Sequence, residues 1–136
     1  MPIRYLLDTN IASCAIKRNV PHVRERLLRT PISEIGISVI TEAELVFGVE
    51  RKGAPAHLRV AVEELLLRVE ILPWDSGAAR RYAKLRSALE DSGTPMSHFD
   101  LMIAAHALAA DAILVSHDRV FHRVKHLRIE DWTKPA

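Results

Sequence analysis

The sequence predicts an α/β fold: a three-layer α/β/α sandwich around a mostly parallel central sheet of four to five strands. Three observations carry this. Short apolar runs alternate with longer segments of helical periodicity, the pattern of a parallel sheet with crossover helices. Caps and breakers fall at the ends of those runs. The 136 residues, 49% hydrophobic and 26% charged, suit one globular domain spanning 1–136, with enough chain to bury a core without staples.

The elements follow in order. Ile3 to Leu7 is apolar and too short for a helix, so it reads as a buried strand. Asp8, Thr9 and Asn10 are all good caps for a helix over Ile11 to Lys17. Pro21 suits the first turn of a helix through Val23 to Arg29. Ile35 to Ser38 is the second strand. Thr41 opens a helix through Val49, with Leu45, Val46 and Val49 at helical spacing, and Gly53 and Pro55 end it. Leu58, Val62, Leu65 and Leu66 mark an amphipathic helix. Val69 to Leu72 is the third strand, stopped by Pro73. Ala78, Tyr82, Leu85 and Leu89 step along a long amphipathic helix that ends near Gly93-Thr94-Pro95. Asp100 to Ala110 is small and apolar nearly all round, so it is a helix buried between layers. Ala112 to Val115 is the fourth strand and Arg128 to Ile129 a short fifth. No repeat, low-complexity tract or long linker interrupts the pattern.

Composition excludes several classes. Nineteen Lys and Arg against 17 Asp and Glu give a net charge of +2, which permits a nucleic-acid partner without demanding one. The single cysteine, Cys14, excludes an internal disulfide framework and a cysteine-based zinc site. Cys14 reads as a small buried hydrophobe in a reducing compartment. No run approaches a membrane span, and the opening MPIRYLLDTN lacks the apolar stretch of a signal peptide. The expected location is the cytoplasm.

The most informative pattern is the placement of four acids. Asp8 ends the first strand, Glu44 lies in the first turn of the helix after the second, Asp100 opens the buried helix, and Asp118 follows the fourth strand. In a parallel sheet the strand C-termini and the following helix N-termini share one edge, where ligand sites form. A parallel sheet would therefore let all four acids converge on one cleft. Clustered carboxylates repel unless a cation joins them. Oxygen ligands without cysteine favour Mg²⁺ or Mn²⁺ over zinc, and such a site suits phosphodiester hydrolysis by an activated water. Each acid also has a plain structural reading. Thr41-Glu42-Ala43-Glu44 fits a capping box with Glu44 bonding back to Thr41, and Ser97 to Asp100 has the same spacing. Asp8 and Asp118 suit caps or turns.

Four motifs in order resemble PIN-domain ribonucleases, specifically the VapC-type toxins of bacterial toxin–antitoxin pairs. They are Leu6-Leu7-Asp8-Thr9-Asn10; Ser38 to Gly48, in which the matching acid is Glu44 rather than Glu42; Asp100-Leu101-Met102-Ile103-Ala104-Ala105-His106-Ala107; and Leu114-Val115-Ser116-His117-Asp118 with Phe121 to Val124. The ending Leu127 to Trp132 is also family-like. The segment before Phe121 is one residue shorter than in many relatives, and some carry Asn where Asp118 stands; if Asp118 is a peripheral ligand, its loss should hurt less than loss of Asp8 or Asp100. The resemblance implies a metal-dependent endoribonuclease cutting structured RNA, often tRNA or rRNA. It further implies a homodimer and a cognate antitoxin that blocks the site. Asp8, Glu44, Asp100 and Asp118 would hold Mg²⁺ or Mn²⁺, with Thr9, Asn10 and Ser116 as neutral groups that orient carboxylates or meet substrate.

Basic residues suggest where RNA lies. Arg80, Arg81 and Lys84 share the long helix, and Lys17, Arg18, Arg24, Arg26 and Arg29 cluster in the first helical pair. Such clusters neutralise phosphates, or simply solvate a helix face. Aromatics are only 5%, so RNA shape is a better target than stacked single strands. His106 lies six residues past Asp100 and points away from it, as a packing or interface residue. His98 and His117 sit near key acids, where they meet solvent or substrate. Trp74 and Trp132 are expected at the core edge. Val23 to Leu28 and Leu45 to Val49 are candidate hosts for a partner helix, or core. Competing functions are a phosphoryl-transfer enzyme with Asp8 as acceptor and a non-catalytic binding module. Dehalogenase-type phosphatases need a second Asp where Asn10 stands, and receiver domains need an acidic pair that the N-terminus lacks.

Overall fold

A computed structural model describes residues 2–136. Its elements are β1 (Tyr5–Leu7), α1 (Thr9–Lys17), α2 (Pro21–Arg29), β2 (Ile35–Ser38), α3 (Val39–Glu50), α4 (Ala56–Arg68), β3 (Glu70–Leu72), α5 (Ser76–Asp91), α6 (His98–Ala109), β4 (Ile113–Val115) and β5 (Ile129–Glu130). Two 3-10 turns, Ile32–Glu34 and Arg119–Arg123, complete the order. The five strands form one sheet in the order β3-β2-β1-β4-β5, and every pair is parallel.

Strand alternation explains the layers. Leu7 and Val115 face a core built with Ile11 and Ala12 of α1, Val23 of α2, Leu45 and Val49 of α3 and Val62 of α4. Leu6 and Leu114 face the opposite core, with Ile103, Ala104 and Ala107 of α6 and with Phe121. Helices thus cover both faces, as a parallel sheet requires. Gly36 keeps the crowded middle open: a Cβ there would stand 2.7 Å from Leu72 Cδ1 and 3.1 Å from the Glu70 carbonyl oxygen.

The connections place the site. From β1 the chain moves outward to β2 and β3, then returns through α5 and α6 to β4 on the other side of β1. The order therefore reverses between β1 and β4, and ligands of open α/β sheets bind beyond the strand ends at such a reversal.

Several expectations change in detail. α3 starts at Val39, directly after β2, with the Ser38 hydroxyl accepting from the Ile40 N–H at 3.1 Å. Thr41 is therefore inside the helix, and Glu44 lies in its second turn rather than at the third position of a capping box. Trp132 is fully buried rather than at the core edge, because it packs edge-on against Tyr5 with ring centroids 5.2 Å apart. Trp74 is half-buried and donates its indole N–H to the Met102 carbonyl. Cys14 is also half-buried, packed against the first core. Leu45 and Val49 are core, while Leu28 and Phe47 are exposed. No helix among the described residues is long and apolar enough to cross a membrane.

Candidate functional site

Asp8 leaves the end of β1 and caps α1, its Oδ1 accepting the Ile11 N–H at 2.8 Å. The Ser116 hydroxyl, one residue past β4, donates to Asp8 Oδ2 at 2.6 Å. Ser116 Oγ also accepts the Asp118 N–H at 3.0 Å, so one buried hydroxyl sets the spacing of two acids. Asp118 Oδ1 accepts the Val120 N–H and opens the 3-10 turn. Asp100 lies in the first turn of α6, where the Ser97 hydroxyl donates to its Oδ2 at 2.9 Å.

Asp8, Thr9, Asn10, Glu44, Asp100, Ile103, Asp118 and Phe121 line a common pocket of about 100 Å³. All four acids singled out from the sequence are present, with two of the three neutral groups in the lining and Ser116 bonded behind it. Glu42 is not in the lining, which agrees with the choice of Glu44.

Glu44 is held by a relay that the sequence did not reveal. The Thr9 hydroxyl donates to Glu44 Oε1 at 2.6 Å. The Thr41 hydroxyl lies 3.2 Å from Thr9 Oγ1. Thr9 has one proton and gives it to Glu44, so Thr41 is the donor to Thr9. Thr41 is fully buried, one turn before Glu44 on the same helix. The only signal in the sequence was its spacing to Glu44, which a capping box imitates.

The electrostatics follow from burial. Asp8 is 5% exposed, and burial pushes its carboxyl above the ordinary value. The bonds from Ser116 and Ile11 pull it down, and the nearby Asp100 and Asp118 carboxylates push it up again. A carboxyl raised by burial and like charges is stabilised in its ionised form by a cation. The donors are all oxygens: four carboxylates, a threonine hydroxyl and an asparagine amide, the set a hard divalent ion takes. Among the described residues no three His, Cys, Asp or Glu side chains are already drawn together tightly enough to enclose an ion. The acids instead line the pocket, each accepting from a neutral hydroxyl or backbone N–H. The donor chemistry fits a divalent cation with part of its shell left to water or substrate.

The other candidates fall away from the pocket. His106 is buried and its Nδ1 lies 2.8 Å from Ser38 Oγ, so it ties α6 to the cap of α3 as a packing residue. Burial lowers its pKa against the pull of Asp75 and the Pro73 carbonyl. His98 bonds the Tyr82 hydroxyl at 3.0 Å, and His117 pairs with Asp131 at 3.0 Å. Arg80, Arg81 and Lys84 are exposed on α5 and are not among the pocket residues. Arg26 is not free for a partner: it binds Glu130 at 2.7 Å and stacks over Trp132 at 5.2 Å.

Known proteins are similar to this chain over nearly its whole length. A family model described as PIN domain matches residues 5–127. A tRNA(fMet)-specific endonuclease VapC of Salmonella typhimurium is 39% identical over 132 residues, covering 96% of this chain and 98% of its own. Ribonuclease VapC2 of Haemophilus influenzae is 34% identical over 131 residues, covering 96% and 98%. Among solved structures, DNA-bound VapBC of Salmonella typhimurium superposes with a TM-score of 0.89 at 37% identity, covering 96% of this chain and 98% of that one. VapBC2 of Rickettsia felis, bound to a DNA fragment of its promoter, gives 0.85 at 31% identity, covering 94% and 98%. With a family model matched over residues 5–127 and VapC relatives up to 39% identical over nearly the whole chain, the chain belongs to the PIN domain family, in its VapC branch.

Proposed function

We propose that this protein is an endoribonuclease, the toxin of a toxin–antitoxin pair, that hydrolyses phosphodiester bonds of structured RNA with a divalent metal ion. The observation that carries the proposal is the convergence of Asp8, Glu44, Asp100 and Asp118 on one pocket where the strand order reverses. The relatives' names point to tRNA, and to initiator tRNA first, as the substrate. The chain is read as one PIN domain over residues 1–136, working in the cytoplasm as a homodimer and held inactive by a cognate antitoxin.

Asp8, Glu44, Asp100 and Asp118 would hold Mg²⁺ or Mn²⁺, with Asp118 peripheral because it is exposed. When bound, such an ion supplies activation of water and charge stabilisation at the departing 3′ oxygen. The chain's own groups do the placing. Ser116 fixes the Asp8 carboxylate and, through the Asp118 N–H, the turn that carries Asp118. Thr9 fixes the Glu44 carboxylate in the pocket lining, and Asn10, also in the lining, is exposed to meet substrate. Ile103 and Phe121 make the apolar part of the lining, which limits water around the carboxylates. Arg80, Arg81 and Lys84 are proposed as outlying contacts to RNA phosphates.

The test is incubation of antitoxin-free protein with total bacterial RNA and Mg²⁺ or Mn²⁺, beside EDTA and an Asp8→Asn variant. Discrete fragments that vanish with either control are expected. Intact RNA in every metal, from folded protein, would leave a binding module instead.

A further inference from the structure

We infer that the 3-10 turn Arg119–Arg123 is a phosphate-docking ridge that holds the RNA backbone against the acidic pocket, an assignment that rests on the ribonuclease reading above. The need for such a ridge is electrostatic. The ion that the four acids would hold offsets their charge only at the reacting phosphate, so cations of the chain at the lip are what would hold the phosphates on either side of it.

The turn has the required position. It begins directly after Asp118, and its own Phe121 lines the pocket. Phe121 is 1% exposed and Val124 is 4% exposed, both packed in the second core. These anchors turn Arg119, His122 and Arg123 outward, where all three are exposed. Arg123 Nη1 donates to the Pro95 carbonyl at 2.9 Å. That carbonyl lies in the loop leading to Ser97 and Asp100, so the turn is fastened at both the Asp118 and the Asp100 side of the pocket.

The charge is also uncommitted. Residues 119–128 contain four Lys and Arg and no Asp or Glu. Arg26, Arg59, Arg86 and Arg128 each pair with a carboxylate, whereas Arg119 and Arg123 pair with none among the described residues. A guanidinium offers a planar fork that matches phosphate oxygens. The apolar members of the turn point inward, so its outer surface presents cations without an apolar patch. That suits a phosphate backbone rather than a protein partner.

The experiment is filter binding of an initiator-tRNA transcript to Asp8→Asn protein in Mg²⁺ over 50–200 mM KCl. Arg119→Ala with Arg123→Ala is expected to weaken binding about tenfold at 100 mM and to flatten the salt dependence by about one unit of slope per arginine. Arg119→Ala alone, which removes no bond to the protein, should lose about threefold, and Arg119→Lys should restore most of it because the charge returns. Arg51→Ala with Lys52→Ala, an equal charge loss in the exposed α3–α4 loop, should change binding less than twofold. Binding equal to the parent in the Arg119 and Arg123 variants overturns the inference. So does an equal loss from the Arg51 and Lys52 pair, or loss of a co-expressed antitoxin with RNA binding intact. A parent that binds no RNA refutes the ribonuclease reading itself. Wild-type protein that cleaves the transcript, with Asp8→Asn ridge variants that bind it as tightly as Asp8→Asn alone, refutes the ridge and leaves the ribonuclease reading standing.

Discussion

Replacing Asp8 with Asn should stabilise the protein while abolishing its chemistry. Asp8 is 5% exposed, and burial with two neighbouring carboxylates outweighs its two hydrogen bonds, leaving its carboxyl above the ordinary value. Asn has the same shape and no charge. It keeps an acceptor for the Ile11 N–H and loses the charged bond from Ser116, at a cost of about 1 kcal/mol. Holding the charge in this buried place beside two like charges costs about 2 kcal/mol even with its hydrogen bonds. The balance favours the variant by roughly 1 kcal/mol, in line with stability gained when an active-site group is removed. For 136 residues that is roughly 4 °C in Tm. The pH sign follows from linkage. The folded carboxyl binds its proton more tightly than the unfolded chain at 3.8, so wild-type stability falls as pH rises through the folded value and is recovered below 3.8. The advantage of the variant is therefore full at pH 7.5 and shrinks towards pH 4. Thermal melts in EDTA at pH 7.5 and pH 4.5 measure it. An Asp8→Asn protein that melts below wild type at pH 7.5 refutes the claim that the carboxylates strain the metal-free fold.

Three further outcomes are expected. Thr41→Val removes the donor behind Thr9 and should lower kcat about tenfold with little change in KM, a loss typical of groups that orient ligands, while Thr41→Ser restores it; equal kcat in Thr41→Val sinks the relay. Asp118→Asn should reduce cleavage about 10–100-fold, and less than Asp100→Asn; if the two single-turnover rates fall equally, Asp118 is not peripheral. Gly36→Ala drives a methyl against Leu72 and the Glu70 carbonyl and should cost about 2 kcal/mol, read as a lower urea midpoint; an unchanged midpoint means the sheet accommodates it.

Much of the fold and of the candidate site was legible in the sequence, for identifiable reasons. Strand ends and helix starts are written in local chemistry, so Asp8 after Leu6-Leu7 and Asp100 after Ser97 declare themselves. Their convergence needs only a parallel sheet and its single exit edge. The start of α3 was hidden because Val39 and Ile40 are β-branched and continue the apolar run of β2, while the cap is the Ser38 at its end. Thr41 was misread for the same reason: a threonine three residues before an acid looks like a cap until the register of the helix is known. The burial of Trp132 is not legible in its neighbours Asp131 and Thr133. Its burial depends on Tyr5 of β1 and on Arg26, pairings that no local pattern encodes. The ridge at Arg119–Arg123 needed the turn itself, since inward Phe121 and Val124 are what turn the cations outward.

The central claim is that Asp8, Glu44, Asp100 and Asp118 form one cation site. Mn²⁺ titration followed by electron paramagnetic resonance tests it most directly, in wild type and in Asp8→Asn and Asp100→Asn proteins. The account predicts at least one bound ion per chain in wild type, displaced by Mg²⁺, and a large loss of affinity in both variants. Equal Mn²⁺ binding in all three proteins, or none in wild type, would contradict it.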